Sequence, residues 1–176
     1  MTDKLIKNRG GLHNRIRHRI YLKPFSLKET EEYLQSRSVH WDRYQILQGY
    51  MLTGGVPFYL KMLEPQQSFA QNVDRLCFSD TGALKMEFDE LYNAIFPGAE
   101  SYVEVVRALA DNNSGLTRTE ISTKTKISGA YLTRILTNLE RCDFIDKTNL
   151  FGNRRTDAVY RLVDFYTLFY FKCGEK

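Results

Sequence analysis

The chain has 176 residues and a net charge of +4, with 43% hydrophobic and 26% charged residues. That length holds one ordinary domain or two small ones and excludes a large enzyme barrel, and the composition is that of a folded globular protein rather than a disordered one. No apolar run approaches the roughly 18 residues that cross a bilayer, and Met1 leads into charge instead of a signal peptide's apolar stretch, so a cytoplasmic protein without a membrane partner is expected.

Residues 1–23 hold seven Lys/Arg against one Asp, 24–100 six against eleven acidic residues, and 101–163 ten against seven, while the tail is neutral. Basic blocks are where phosphates are usually met, so the ends of the chain and its middle are expected to have different partners. In chain order, Ile16 to Leu22 alternates apolar and basic residues, which predicts a short half-buried strand. Arg15, Arg17 and Arg19 are the solvated face of an edge strand on this pattern, or arginines poised near a nucleotide phosphate.

Ser26 and Glu29 have the S-x-x-E spacing of a capping box, which predicts a helix over 27–35. Helical spacing continues over 41–53 (Trp41, Tyr44, Leu47, with Ile46 and Tyr50), until Thr53-Gly54-Gly55-Val56-Pro57 interrupts it as a corner. Helices over 58–63, 69–77 and 84–95 follow, and Pro97-Gly98 marks a domain boundary. Beyond it, 102–110 predicts a helix and Asn112-Asn113-Ser114-Gly115 a turn. Thr117 and Glu120 form a second capping box for a short helix over 118–125. Ser128 is expected to cap a longer helix over 129–141, whose Leu132, Ile135, Leu136 and Leu139 share one face. Strands over 144–148 and 159–163 close the pattern.

Helix, short helix, tight turn, longer helix and hairpin, in that order, spell a winged helix-turn-helix. The fold class expected is therefore mostly α, a helical bundle followed by a winged helix-turn-helix domain with a two-stranded wing. The major groove admits one helix, and a basic wing reaches neighbouring phosphates. The candidate groove-facing residues are Tyr131, Thr133, Arg134, Thr137 and Asn138, and the candidate phosphate contacts Lys124, Lys126, Arg154 and Arg155. The module's net charge of +3 is low for duplex DNA, so a protein-docking role against the bundle or a neighbouring subunit stands as the alternative.

Metal chemistry finds little support. Cys77, Cys142 and Cys173 lie far apart without C-x-x-C spacing, and His13, His18 and His40 lack the spacing of a metal-binding helix pair. Arg141 beside Cys142 is the one feature that could lower a thiol pKa.

Taken together, Gly11-Leu12-His13-Asn14-Arg15, Ile20-Tyr21-Leu22-Lys23-Pro24-Phe25-Ser26-Leu27-Lys28-Glu29 and Tyr50-Met51-Leu52-Thr53-Gly54-Gly55-Val56-Pro57-Phe58-Tyr59-Leu60 resemble the late part of archaeal-type ATPases of the AAA+/STAND group. Glu87-Phe88 through Leu91-Tyr92, Gly115-Leu116-Thr117-Arg118-Thr119-Glu120-Ile121 and Tyr160-Arg161-Leu162-Val163-Asp164-Phe165-Tyr166 match in the same order.

The resemblance implies a basic segment left from an ATPase core at 1–23, a helical lid at 24–98, a winged helix at 99–164 and an aromatic end at 165–176. It also implies that Gly55, Val56 and Pro57 lie against bound nucleotide from the lid side, with ATP and magnesium as cofactors of the full-length family. The chain itself lacks the phosphate-cradling G-x-x-x-x-G-K-[ST], and Met86-Glu87-Phe88-Asp89-Glu90 does not read as the acidic strand end that holds magnesium. The expectation is thus a non-catalytic piece of a larger ATPase, with no cofactor of its own. Its partners would be double-stranded DNA, the missing core and C-terminal domain, and a second copy through the aromatic end.

Overall fold

The computed structural model describes residues 20–149 and 158–174. Its first half is a string of short helices with locally encoded ends. Helix α1 (Leu27–Ser36) starts at the predicted box: the Glu29 amide donates to Ser26 Oγ at 3.3 Å, and the Ser26 amide donates back to the Glu29 carboxylate at 2.8 Å. Helix α2 (Arg43–Thr53) opens on an Asp42/Gln45 box and stops at Gly54, whose φ of 62° only glycine adopts readily. Pro57 occupies the first turn of α3 (Pro57–Lys61), where its missing amide hydrogen costs nothing. A Ser68/Gln71 box starts α4 (Phe69–Val73), which widens into a π turn over Asp74–Phe78, and α5 (Ala83–Ile95) follows.

Gly98, with φ of 73°, reverses the chain into α6 (Ala99–Ala110). Strand β1 (Leu116–Thr117), α7 (Arg118–Thr125), α8 (Gly129–Arg141), β2 (Ile145–Asn149) and β3 (Ala158–Leu162) complete the second half. The sheet is antiparallel in the order β1-β3-β2, pairing Leu116 with Tyr160 and Ile145 with Leu162. The chain is mostly helical with one small sheet, arranged as a helical bundle followed by helices and a wing.

The predicted apolar face of α8 holds throughout: Leu132, Ile135, Leu136 and Leu139 are all buried. Each such side chain contributes about 1.5–3 kcal/mol on leaving water. An aromatic chain carries the core across the middle of the molecule. Phe96 stacks on Tyr102 at 4.3 Å and meets Phe144 edge-on at 5.7 Å. The last described segment, α9 (Phe165–Phe169) with a π turn over Tyr170–Gly174, folds back on the first half. Tyr166 donates its hydroxyl to the Leu84 carbonyl at 2.6 Å, Tyr92 and Thr167 share a buried hydrogen bond at 3.1 Å, and Tyr170 stacks on Phe88 at 3.8 Å. Most of the aromatic end expected to face a second copy or an absent domain is therefore covered within the chain.

Several expectations change. Ile20, Tyr21 and Leu22, the described end of the predicted basic strand, belong to no strand and are exposed; the rest of it lies outside the described residues. In α2 the two apolar sets at helical spacing fare differently: Tyr44 and Leu47 are exposed, whereas Ile46 is buried and Tyr50 half-buried. The buried face is Ile46, Gly49, Leu52 and Thr53, and the Trp41 ring covers Gly49 so closely that a Cβ there would sit 3.0 Å from it. The sheet has a third short strand, β1. Ser128 stands at the start of α8, but its hydroxyl makes no capping bond. Helix α6 begins three residues before the predicted 102, directly after the reversal at Gly98.

Candidate nucleic-acid interface

Side chains on an α-helix advance about 100° per residue, so α8 has four sides that can be named. Opposite the buried face runs a ridge of Ala130, Arg134, Thr137 and Arg141, of which all but the half-buried Thr137 are exposed. Two of the sequence-predicted residues, Arg134 and Thr137, stand on it. Arg141 stands there too, a residue that the sequence marks only as the neighbour of Cys142.

The other predicted residues of α8 occupy its flanks. On one side, Asn138 donates Nδ2 to the Tyr102 hydroxyl at 2.7 Å, which ties it to α6. Tyr131 lies on the same side, its hydroxyl 3.8 Å from where a side chain on Gly98 would begin, with the Arg134 guanidinium 4.9 Å from its ring. That cation–π pair holds Arg134 alongside an exposed aromatic face. On the other flank, Thr133 Oγ1 accepts from Arg118 Nη1 at 3.0 Å and donates to the Gly129 carbonyl at 3.3 Å, and Arg118 Nη2 reaches the same carbonyl at 2.7 Å. Lys124 is exposed in the last turn of α7, and Lys126 ends that helix in the left-handed region with φ of 61°. Arg154 and Arg155 lie outside the described residues. The described wing strands carry two further cations: Lys147 on β2, exposed beside the Tyr160 ring at 5.8 Å, and Arg161 on β3, whose Nε donates to the Ser114 carbonyl at 3.0 Å.

The corner over 53–57 is sealed by the backbone. The Phe25 amide donates to the Gly55 carbonyl at 2.9 Å, and Gly55, with φ of 71°, approaches so closely that a Cβ would overlap the Phe25 carbonyl oxygen. Beside it opens a groove of about 420 Å³, lined by Phe25, Tyr50 and Gly54 from the first half and by Asp143, Asp164 and Phe165 from the second. Tyr50 and Phe165 meet edge-on at 5.6 Å. Glu29 also lines the groove, and among the described residues Lys23 is the only basic one on its wall, so the charge of these residues does not favour an anion. Burial raises the Asp164 carboxyl above its ordinary range, although it accepts from the Thr167 amide at 2.8 Å.

Neither Cys77 nor Cys142 is activated. Burial pushes Cys77 up to about 12, and it also raises exposed-side Cys142, the reverse of the lowering that Arg141 suggested. Among the described residues no three His, Cys, Asp or Glu side chains gather where they could hold a metal ion, and no helix is long and apolar enough to cross a membrane. Met86 to Glu90 lies within α5, in helix.

Comparison with solved structures places this architecture. The chain is similar to the Walker-type ATPase PABY2304 of Pyrococcus abyssi, with a TM-score of 0.56 and 20% identity over 94% of this chain and 47% of that one. The fold is like that of part of this ATPase. The chain thus spans about half the length of that neighbour. No family model matches the chain, and no curated protein does.

Proposed function

We propose that the chain is the lid and winged-helix part of an AAA+/STAND-like ATPase, without catalytic machinery of its own, and that its winged helix binds duplex DNA through α8. The observation that carries the DNA reading is the outward ridge of α8, where Arg134 stands beside Tyr131 with Thr137 and Arg141 in line, opposite a fully buried apolar face. A helix about 10–12 Å across fits a major groove about 12 Å wide, which puts such a ridge against base edges. Likeness to part of a Walker-type ATPase supports the ATPase reading, and this sequence carries no G-x-x-x-x-G-K-[ST] phosphate loop of its own. Gly55, Val56 and Pro57 would then face nucleotide held by a separate core, and ATP and magnesium would belong to that core.

The experiment is a pair of titrations on the purified chain: ATP turnover, and duplex binding followed by anisotropy across salt. The reading expects no intrinsic turnover and salt-sensitive duplex binding that Arg134→Ala weakens. Appreciable hydrolysis overturns the first half; equal retention of wild type and Arg134→Ala overturns the second. The alternative, a winged helix that docks a neighbouring subunit, draws on Asn138, whose Nδ2 is tied to the Tyr102 hydroxyl on α6 and which stands off the ridge. It predicts concentration-dependent self-association without DNA affinity.

A further inference from the structure

Arg118 is not among the candidate DNA contacts read from the sequence, yet two hydrogen bonds hold it against the start of α8. It is the first residue of α7, and it crosses the helix-turn-helix to grip the start of α8. Nη2 donates to the Gly129 carbonyl at 2.7 Å and Nη1 to Thr133 Oγ1 at 3.0 Å. A guanidinium carries five N–H donors. These bonds occupy two, and the other three have no partner among the described residues. The side chain is pre-ordered with donors to spare, which lowers the entropy lost when it takes a further acceptor.

Its direction decides what that acceptor is. Gly129 and Thr133 lie on one flank of α8, about a quarter turn from the ridge. When a helix fills the major groove its ridge meets base edges, and its flanks face the two walls of the groove, which are phosphate backbones. We infer that Arg118 contacts a backbone phosphate of duplex DNA, held in place for it by Thr133 and the Gly129 carbonyl; this rests on the duplex reading above. Thr133, its hydroxyl engaged by Arg118, then serves the phosphate contact and does not read a base. The contact is independent of sequence and sets the register of α8 in the groove.

The test is the salt dependence of duplex binding by the full chain, measured by fluorescence anisotropy with a labelled random-sequence duplex. Each neutralised phosphate contributes about 0.9 to the slope of log K against log salt. Arg118→Ala and Arg118→Gln are expected to reduce the slope by about 0.9, so that between about 50 and 200 mM salt each loses about 3.5-fold less affinity than wild type does. Arg118→Lys keeps the charge and the wild-type slope. Glutamine preserves an amide donor for Gly129, so it carries the comparison if the alanine variant fails to show a native melting transition. Wild-type slope in both neutral variants overturns this inference and leaves the duplex reading standing. Absence of salt-sensitive binding by wild type overturns both.

Discussion

Gly54 and Gly55 both have positive φ, and the structure gives them different reasons, which a pair of alanine substitutions separates. At Gly54 an added Cβ meets only the Phe165 Cβ at 3.9 Å, an ordinary contact, so Gly54→Ala incurs the left-handed backbone cost alone, about 1–2 kcal/mol. At Gly55 the same backbone cost is joined by overlap with the Phe25 carbonyl oxygen. Relieving it separates Phe25 from Gly55 and breaks the 2.9 Å amide-to-carbonyl bond between them, a further loss of about 0.5–1.5 kcal/mol. Gly55→Ala should therefore cost about 2.5 kcal/mol, and at about 2–4 °C per kcal/mol for a chain of this size its melting temperature falls by about 5–10 °C. Gly54→Ala should fall by roughly half of that. Differential scanning calorimetry on the two variants decides the matter. Equal shifts would refute the account of the corner as a backbone seal between Phe25 and Gly55.

Three further outcomes follow from the same geometry. Tyr166→Phe removes the buried bond to the Leu84 carbonyl and should lower stability by about 1–2 kcal/mol in urea unfolding; an unchanged midpoint would mean that α9 is held by packing alone. With a chromogenic thiol reagent near about pH 8, Cys77 should react last and only as fast as the chain opens, because it is buried and its thiol is raised to about 12; prompt reaction of all three cysteines would contradict its burial. Glu120 has its carboxyl lowered from 4.5, first by the bond from the Thr117 amide, so its stabilisation is present above 4.5 and is lost as pH falls through the lowered folded value. Glutamine at 120 keeps the capping box without titrating. The melting-temperature difference between wild type and Glu120→Gln should thus shrink as pH drops below 4.5, and a difference that holds constant would remove Glu120 from the pH response.

What the sequence made legible was whatever is decided locally. Ser26 with Glu29 and Thr117 with Glu120 start helices because both halves of the box lie within one turn, and Leu132, Ile135, Leu136 and Leu139 share a face by periodicity alone. Misreadings fall where distant residues decide. In α2 apolar spacing picked out the exposed Tyr44 and Leu47 along with the buried Ile46, and it carries no sign of Gly49, which the Trp41 ring covers. Strand β1 is two residues long and exists only through pairing with β3, some forty positions away. The candidate site shows the same division. Arg134 and Thr137 could be placed on an outward ridge from helical angles, whereas the engagement of Asn138 by Tyr102 and of Thr133 by Arg118 spans 36 and 15 positions and has no local signature. Arg118 carried one available signal, its place just after the capping Thr117 at the mouth of the helix-turn-helix.

The most direct measurement is the response of backbone amides to duplex DNA, followed by NMR on the isotopically labelled chain at low salt. The proposed reading predicts the largest shifts at Ala130, Arg134, Thr137 and Arg141, with smaller ones at Arg118, and predicts that they fade as salt is raised. If those amides stay still while the exposed face of α2 around Tyr44, Leu47 and Met51 moves, or if no amide moves at all, α8 is not a DNA-binding helix and the central proposal is wrong.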